Sequence, residues 1–160
     1  MREKLVVQLG YEAECYRLIE DTGMEMAFAG LNVTSRDFAK LVELYRKKGC
    51  WNGQQIVPEN WVDASVRVSA PHLAPGQPIL ADHPLDLGYG YQWWLPDGDR
   101  GEFSAIGIYN QLVYVDPSRA ATIVKLSANP AYGTSMDEAT NREMENIAFL
   151  RGIAASFDDQ

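Results

Sequence analysis

The sequence predicts an α/β chain of the α+β type, an antiparallel sheet with flanking helices, and three features carry that prediction. From Leu87 to Ala128 short strand-like runs alternate with tight turns; an amphipathic helix opens at Thr34 before them, and another at Ser135 after them. The order divides the chain into a helical and loop region over 1–86, a strand meander over 87–128 and a closing helix over 134–156. At 160 residues the chain is one domain or a large piece of one, long enough to bury roughly 70% of its unfolded surface.

Residues 1–33 show no sustained period and read as a loop-rich approach to the first helix. Thr34 is a good N-cap with Asp37 three residues on, and Phe38, Leu41, Val42, Leu44 and Tyr45 then form an apolar stripe at helical spacing. Lys47, Lys48 and Gly49 supply C-terminal cations and a stop. Asn52-Gly53 marks a turn, and Pro58 enters a brief helix. Residues 66–86 hold four prolines and no period, which predicts an irregular loop.

From Leu87 the runs are "LGYGYQWWLP", "EFSAIGI", "QLVYVD" and "AATIVKLS", with turns at Asp97-Gly98, near Tyr109-Asn110, and at Asp116-Pro117. The runs "QLVYVD" and "AATIVKLS" are apolar on both faces, as in strands covered on two sides. Ser135 and Glu138 form a capping box opening a helix whose apolar face carries Met136, Ala139, Met144, Ile147, Leu150 and Ala154.

Composition excludes several classes. Hydrophobic residues make up 46% of the chain and charged ones 22%, ordinary for a globular protein, and no apolar run approaches the ~20 residues of a membrane span. The formal charge of −8, with basic residues scattered outside Arg46-Lys47-Lys48, argues against nucleic acid and anionic membranes as partners. Cys15 and Cys50 are too few for a disulfide framework or zinc site, and neither has a histidine close in sequence to activate it as a nucleophile. His72 and His83 lie in the proline-rich loop without a third ligand nearby, so neither a metal nor a cofactor is expected. "MREKLVVQLG" lacks the long apolar run and small-residue cleavage site of a signal peptide; the compartment stays open, cytoplasm being favoured over periplasm.

Self-sufficient catalytic motifs are absent: no Gly-x-Ser-x-Gly, no phosphate-binding glycine loop, no His-Glu-x-x-His and no Cys-x-x-Cys. Thr122 and Lys125 have nucleophile-and-base spacing, but in a strand positions three apart point to opposite faces.

Three stretches, "GLNVTSRDFAKLVELYRKKGCWNGQQIVPENWV", "GYGYQWWLP" and "FSAIGIYNQLVYVDPSRAATIVKLS", together resemble the C-terminal half of the serine β-lactamase and penicillin-binding-protein-like hydrolases. The branch they look most like is that of 6-aminohexanoate-dimer hydrolases and related esterases. The resemblance implies part of a β-lactamase/transpeptidase-like fold, with the active site between an antiparallel sheet and a helical insert. It also implies chemistry by Ser-x-x-Lys, whose lysine activates the serine, and Tyr-x-Asn, whose tyrosine relays protons. Both lie upstream of the matched part: no serine here is followed three residues on by lysine, and no tyrosine two residues on by asparagine.

The family's third element, Lys-Thr-Gly or His-Thr-Gly on the strand beside the nucleophile, maps by resemblance onto Ala105-Ile106-Gly107. Glycine there lets a substrate approach the backbone, and the next amide, the Ile108 N–H, takes the place of one of two oxyanion donors. Ala105, Ile106, Gly107 and Tyr109 become substrate-binding positions, although the same run also fits a packed central strand. For Tyr91, Trp93 and Tyr109, core packing outweighs a place in the cleft. Ala105 and Ile106 stand where β-lactamases keep a polar pair for a substrate carboxylate, which favours small amide or ester substrates over penicillins.

Two functions follow as expectations. The chain is the C-terminal portion of such a hydrolase, inactive alone and completed by an N-terminal half; or it is a non-catalytic scaffold whose uncovered strand edge and apolar sheet face seek partners, a second copy among them.

Overall fold

The computed structural model describes residues 2–26, 29–78 and 86–157. A turn of π-helix over Arg2–Val6 runs into a short helix α1 (Val7–Leu9), ended by Gly10 in the left-handed conformation. The sequence predicts a loop here, because eight residues are too few for helical period to show. Two residue pairs, β1 (Tyr16–Arg17) and β2 (Leu31–Asn32), form a minimal antiparallel ladder.

Helix α2 (Ser35–Arg46) begins as its sequence dictates, with Thr34 extended and its hydroxyl oxygen accepting the Asp37 N–H at 3.2 Å. The Asp37 carboxylate, buried, accepts the N–H groups of Glu12 and Ala13 at 2.8 and 3.2 Å and so ties the N-terminal segment to this helix. Gly49, with a left-handed φ of 79°, donates its N–H to the Leu44 carbonyl and closes the helix end. Strands β3 (Cys50–Trp51) and β4 (Gln54–Gln55) are joined by Asn52-Gly53, both at positive φ, the chemistry of a two-residue hairpin. Helix α3 (Glu59–Ser65) follows Pro58, and a single 3₁₀ turn covers Pro71–Leu73. His83 and Pro84 fall outside the described residues.

The central sheet is a five-stranded antiparallel meander in sequence order, β5 (Leu87–Tyr89), β6 (Trp94–Pro96), β7 (Phe103–Gly107), β8 (Gln111–Asp116) and β9 (Ala121–Lys125). Side chains alternate along β8: Leu112 and Tyr114 enter a core with Ile147, Leu150 and Ala154, whereas Val113 and Val115 enter another with Val42 and Phe103. Helices therefore cover both faces, α2 on one and the C-terminal helix on the other, which explains the near-continuous apolar run of β8. Each fully buried side chain of this size contributes about 1.5–3 kcal/mol.

The closing helix is two helices, α4 (Glu138–Asn141) and α5 (Glu143–Ala155), separated by Arg142 at φ 54°. The sequence places the opening at Ser135; the structure starts the helix three residues later with Asp137 as N-cap. Glu138 turns its carboxylate to the N–H groups of Glu143 and Glu145, both at 3.0 Å, and so satisfies the first turn of the second helix. Among the described residues no helix is long and apolar enough to cross a membrane.

Candidate active site

The site begins with the tip of the β5–β6 hairpin. Its Gly90 has no room for a side chain: a Cβ would stand 2.1 Å from the Ser65 carbonyl oxygen, which instead accepts the Tyr91 N–H at 2.9 Å. The end of α3 thus pins the hairpin tip, and β6 begins only at Trp94. Its ladder with β7 consists of Trp94 opposite Ser104. On the other side β7 pairs with β8 along its whole length, from Phe103 opposite Val115 to Gly107 opposite Gln111. Ala105, Ile106 and Gly107 therefore have a strand neighbour on one side and, among the described residues, none on the other.

Ala105 is half-buried and faces α2, where it lines an apolar cleft of about 570 Å³ with Phe38, Leu41, Tyr45, Trp93 and Val113. Trp61 and Tyr91, both exposed, form a tilted pair at 5.4 Å on its lining, and among the described residues no charged side chain lines it. Ile106 points to the opposite face and packs against the core under α5. The two expected substrate-binding residues thus separate, the Ala105 side chain facing the cleft and the Ile106 side chain the core. Trp93 belongs to the core and also borders the cleft, while Tyr91 and Tyr109 are exposed.

Gly107 is extended, φ −107° and ψ 165°, so its torsions suit any residue. A Cβ there would meet nothing closer than the Gln111 carbonyl oxygen at 3.4 Å, an ordinary contact. Neither strain nor packing among the described residues calls for glycine; what the missing Cβ leaves is space along the open edge. Ile108 follows, 64% exposed.

Tyr109 and Asn110 then both take left-handed torsions, φ 62° and 61°. For a tyrosine this costs about 1–2 kcal/mol, whereas asparagine tolerates it. Asn110 is buried, donates its amide to the Asn141 carbonyl and accepts the Asn129 amide at 2.7 Å. The Asn129 backbone N–H binds the Tyr109 carbonyl at 3.1 Å. Sequence reading missed this network, since its members lie 31 and 19 positions from Asn110; an asparagine at a hairpin tip says only that the torsion is accessible.

Behind the strands sits a cluster of charges. The Glu102 carboxylate, buried, binds Arg151 at 2.7 and 2.9 Å, Arg100 at 2.5 Å and the Tyr114 hydroxyl. Burial alone would push its carboxyl up; hydrogen bonds from Arg151, Tyr114 and Arg100 hold it below the usual value. Asp116 behaves alike: burial is outweighed by Ser118, Arg119 and Arg100. Burial, then the Glu102 contact, keeps the Tyr114 phenol protonated well above its usual range. These groups join α5 to the sheet; they do not line the cleft. Among the described residues no three His, Cys, Asp or Glu side chains are placed to hold a metal.

No protein-family model matches the chain. The 6-aminohexanoate-dimer hydrolase of Paenarthrobacter ureafaciens is 30% identical over 112 residues, which is 70% of this chain and 28% of that protein. The solved structure named "Putative 6-aminohexanoate-dimer hydrolase from Bacillus anthracis" superposes on 98% of this chain and 37% of its own, with a TM-score of 0.75 and 31% identity. One named "putative beta-lactamase from Bacteroides dorei DSM 17855" shares the fold at a TM-score of 0.54 and 16% identity, over 80% of this chain and 43% of its own.

The chain is thus a relative of the β-lactamase-like hydrolases and resembles their C-terminal part. Two of its relatives, at 30% and 31% identity, carry the names 6-aminohexanoate-dimer hydrolase and putative 6-aminohexanoate-dimer hydrolase. The chain spans 28% of the length of the curated relative and 37% of the solved one.

Proposed function

We propose that this chain supplies the oxyanion edge and one wall of the substrate cleft in a serine hydrolase that cleaves amides or esters of the 6-aminohexanoate-dimer type. The observation that carries the reading is the open edge of β7, which ends in a glycine that neither its torsions nor its neighbours require. A scissile carbonyl laid along this edge brings its oxygen to the Ile108 N–H. As a serine oxygen attacks the carbonyl carbon, the C=O electron pair moves onto that oxygen, and a fixed amide donor stabilises the charge. The apolar and aromatic lining beside Ala105 suits the methylene chain of such a substrate.

The nucleophile and its base are not in this sequence, so the chain alone has no turnover, and the catalytic serine comes from an N-terminal half that packs beside β7. An oxyanion donor without nucleophile and base loses several orders of magnitude in rate. The test mixes the chain with a p-nitrophenyl ester and a fluorophosphonate probe. Turnover above buffer that the probe abolishes refutes it.

A second reading is a non-catalytic scaffold, or one unit of an oligomer. Its support is the outer edge of β9, which has no strand partner among the described residues, together with the apolar cleft. The two readings part on whether a Ser-x-x-Lys half accompanies this chain.

A further inference from the structure

We infer that Asn110 is a positioning residue for the oxyanion turn, locking Gly107–Gln111 into one conformation through Asn129 and Asn141; this rests on the hydrolase reading above. Three observations converge. First, the turn holds two successive non-glycine residues at positive φ, an arrangement that persists only when its surroundings over-determine it. Second, Asn110 is 2% exposed, whereas its neighbours Ile108 and Tyr109 are 64% and 47% exposed, so the turn is anchored by this one side chain while its donor-bearing backbone stays open. Third, both ends of the anchor's side-chain amide and its backbone carbonyl are used. The Asn110 amide nitrogen donates to the Asn141 carbonyl, its side-chain oxygen accepts from the Asn129 amide at 2.7 Å, and its own carbonyl accepts from Lys125 Nζ at 3.4 Å.

The anchors are themselves held. The Asn129 amide also donates to the Thr140 carbonyl at 2.7 Å, and its backbone N–H reaches back to the Tyr109 carbonyl. Asn141 accepts the Gly133 N–H at 2.8 Å and donates to the Ser135 carbonyl at 3.2 Å. The turn is therefore fastened from outside the hairpin, by the segment after β9 and the last residue of α4. A donor aimed at a developing charge contributes only if it need not reorganise, and this network supplies that rigidity.

The experiment measures backbone order in the ¹⁵N-labelled chain and in Asn110→Gly, Asn110→Asp and Asn129→Ala. Glycine keeps the left-handed torsion and removes only the side chain. The parent should show order parameters of roughly 0.85 at Ile108 and Tyr109, falling below roughly 0.6 in Asn110→Gly. Val113 and Val115 in β8 should stay unchanged. The Asn129 amide should exchange at least about tenfold faster, and Asn110→Asp, which retains the acceptor for Asn129, should recover part of the order. Asn129→Ala should loosen the same turn from the other side. Unchanged order at Ile108 and Tyr109 in Asn110→Gly, or loss spread evenly over the whole sheet, overturns the inference. A turn that loosens as described in a protein whose assembled form never hydrolyses an ester keeps the positioning role and removes the hydrolase; an unaltered turn in an active assembly does the reverse.

Discussion

Trp94 lies opposite Ser104, and at that pair β6 parts from β7. One residue further along, Ala105 has Val113 as its strand partner on one side and none on the other among the described residues. The break traces to Gly90 and Ser65, whose close approach turns the hairpin tip away before it can extend the ladder. Substituting Gly90→Ala forces a backbone oxygen to move and should cost about 1–3 kcal/mol or more, read as a lowered midpoint in chemical denaturation.

Gly107 should behave in the opposite way. With ordinary torsions and a nearest contact of 3.4 Å, Gly107→Ala should change stability by less than about 0.5 kcal/mol. In an assembled enzyme the added methyl group narrows the edge along which substrate lies, so kcat/KM should fall while the denaturation midpoint holds. A midpoint that falls as far as that of Gly90→Ala would make this glycine structural.

Arg151 reaches across 49 positions to Glu102 and also donates to the Asp97 carbonyl at 2.7 Å. Arg151→Ala leaves a buried carboxylate with Arg100 and Tyr114 only, and should cost about 2–3 kcal/mol in urea unfolding. A loss below about 0.5 kcal/mol would show that Arg100 alone suffices.

The same carboxylates set the acid limit. Glu102 and Asp116 titrate below their unfolded values, near 4.3 and 3.9, so between the two states' pKa values the unfolded chain binds more protons. Their stabilisation is fully present above about pH 5 and is lost as pH falls through the depressed folded values. Urea midpoints should be flat from pH 7 to 5 and fall steeply below 4, and the acid-side fall should be shallower in Glu102→Gln.

An apolar cleft of about 570 Å³ and a β9 edge without a strand partner among the described residues should drive association. Light scattering at micromolar concentration should give more than the monomer mass if the chain is a scaffold, and a strictly monomeric chain would count against that reading.

Much of this was written in local sequence. Thr34 and Gly49 bound α2, Asn52-Gly53 turns the small hairpin, and the double-faced apolar run of β8 announces a covered strand. The short N-terminal helix, the break at Arg142 and the charge cluster were not legible. The first is shorter than the period that would reveal it, the second depends on Glu138 reaching forward to cap α5, and the third joins residues far apart in sequence. Position 108 could be proposed from resemblance; that it follows the end of β7, two residues before the buried Asn110, required the fold.

The central claim is that the Ile108 N–H serves catalysis, and a chimaera tests it most directly. This chain would replace the matching 37% of the Bacillus anthracis relative, and p-nitrophenyl ester hydrolysis would be followed with and without Ile108→Pro, which deletes the donor. The account predicts a folded, probe-sensitive chimaera whose kcat drops about 10²–10³-fold in Ile108→Pro. Equal kcat in the two folded proteins would contradict it.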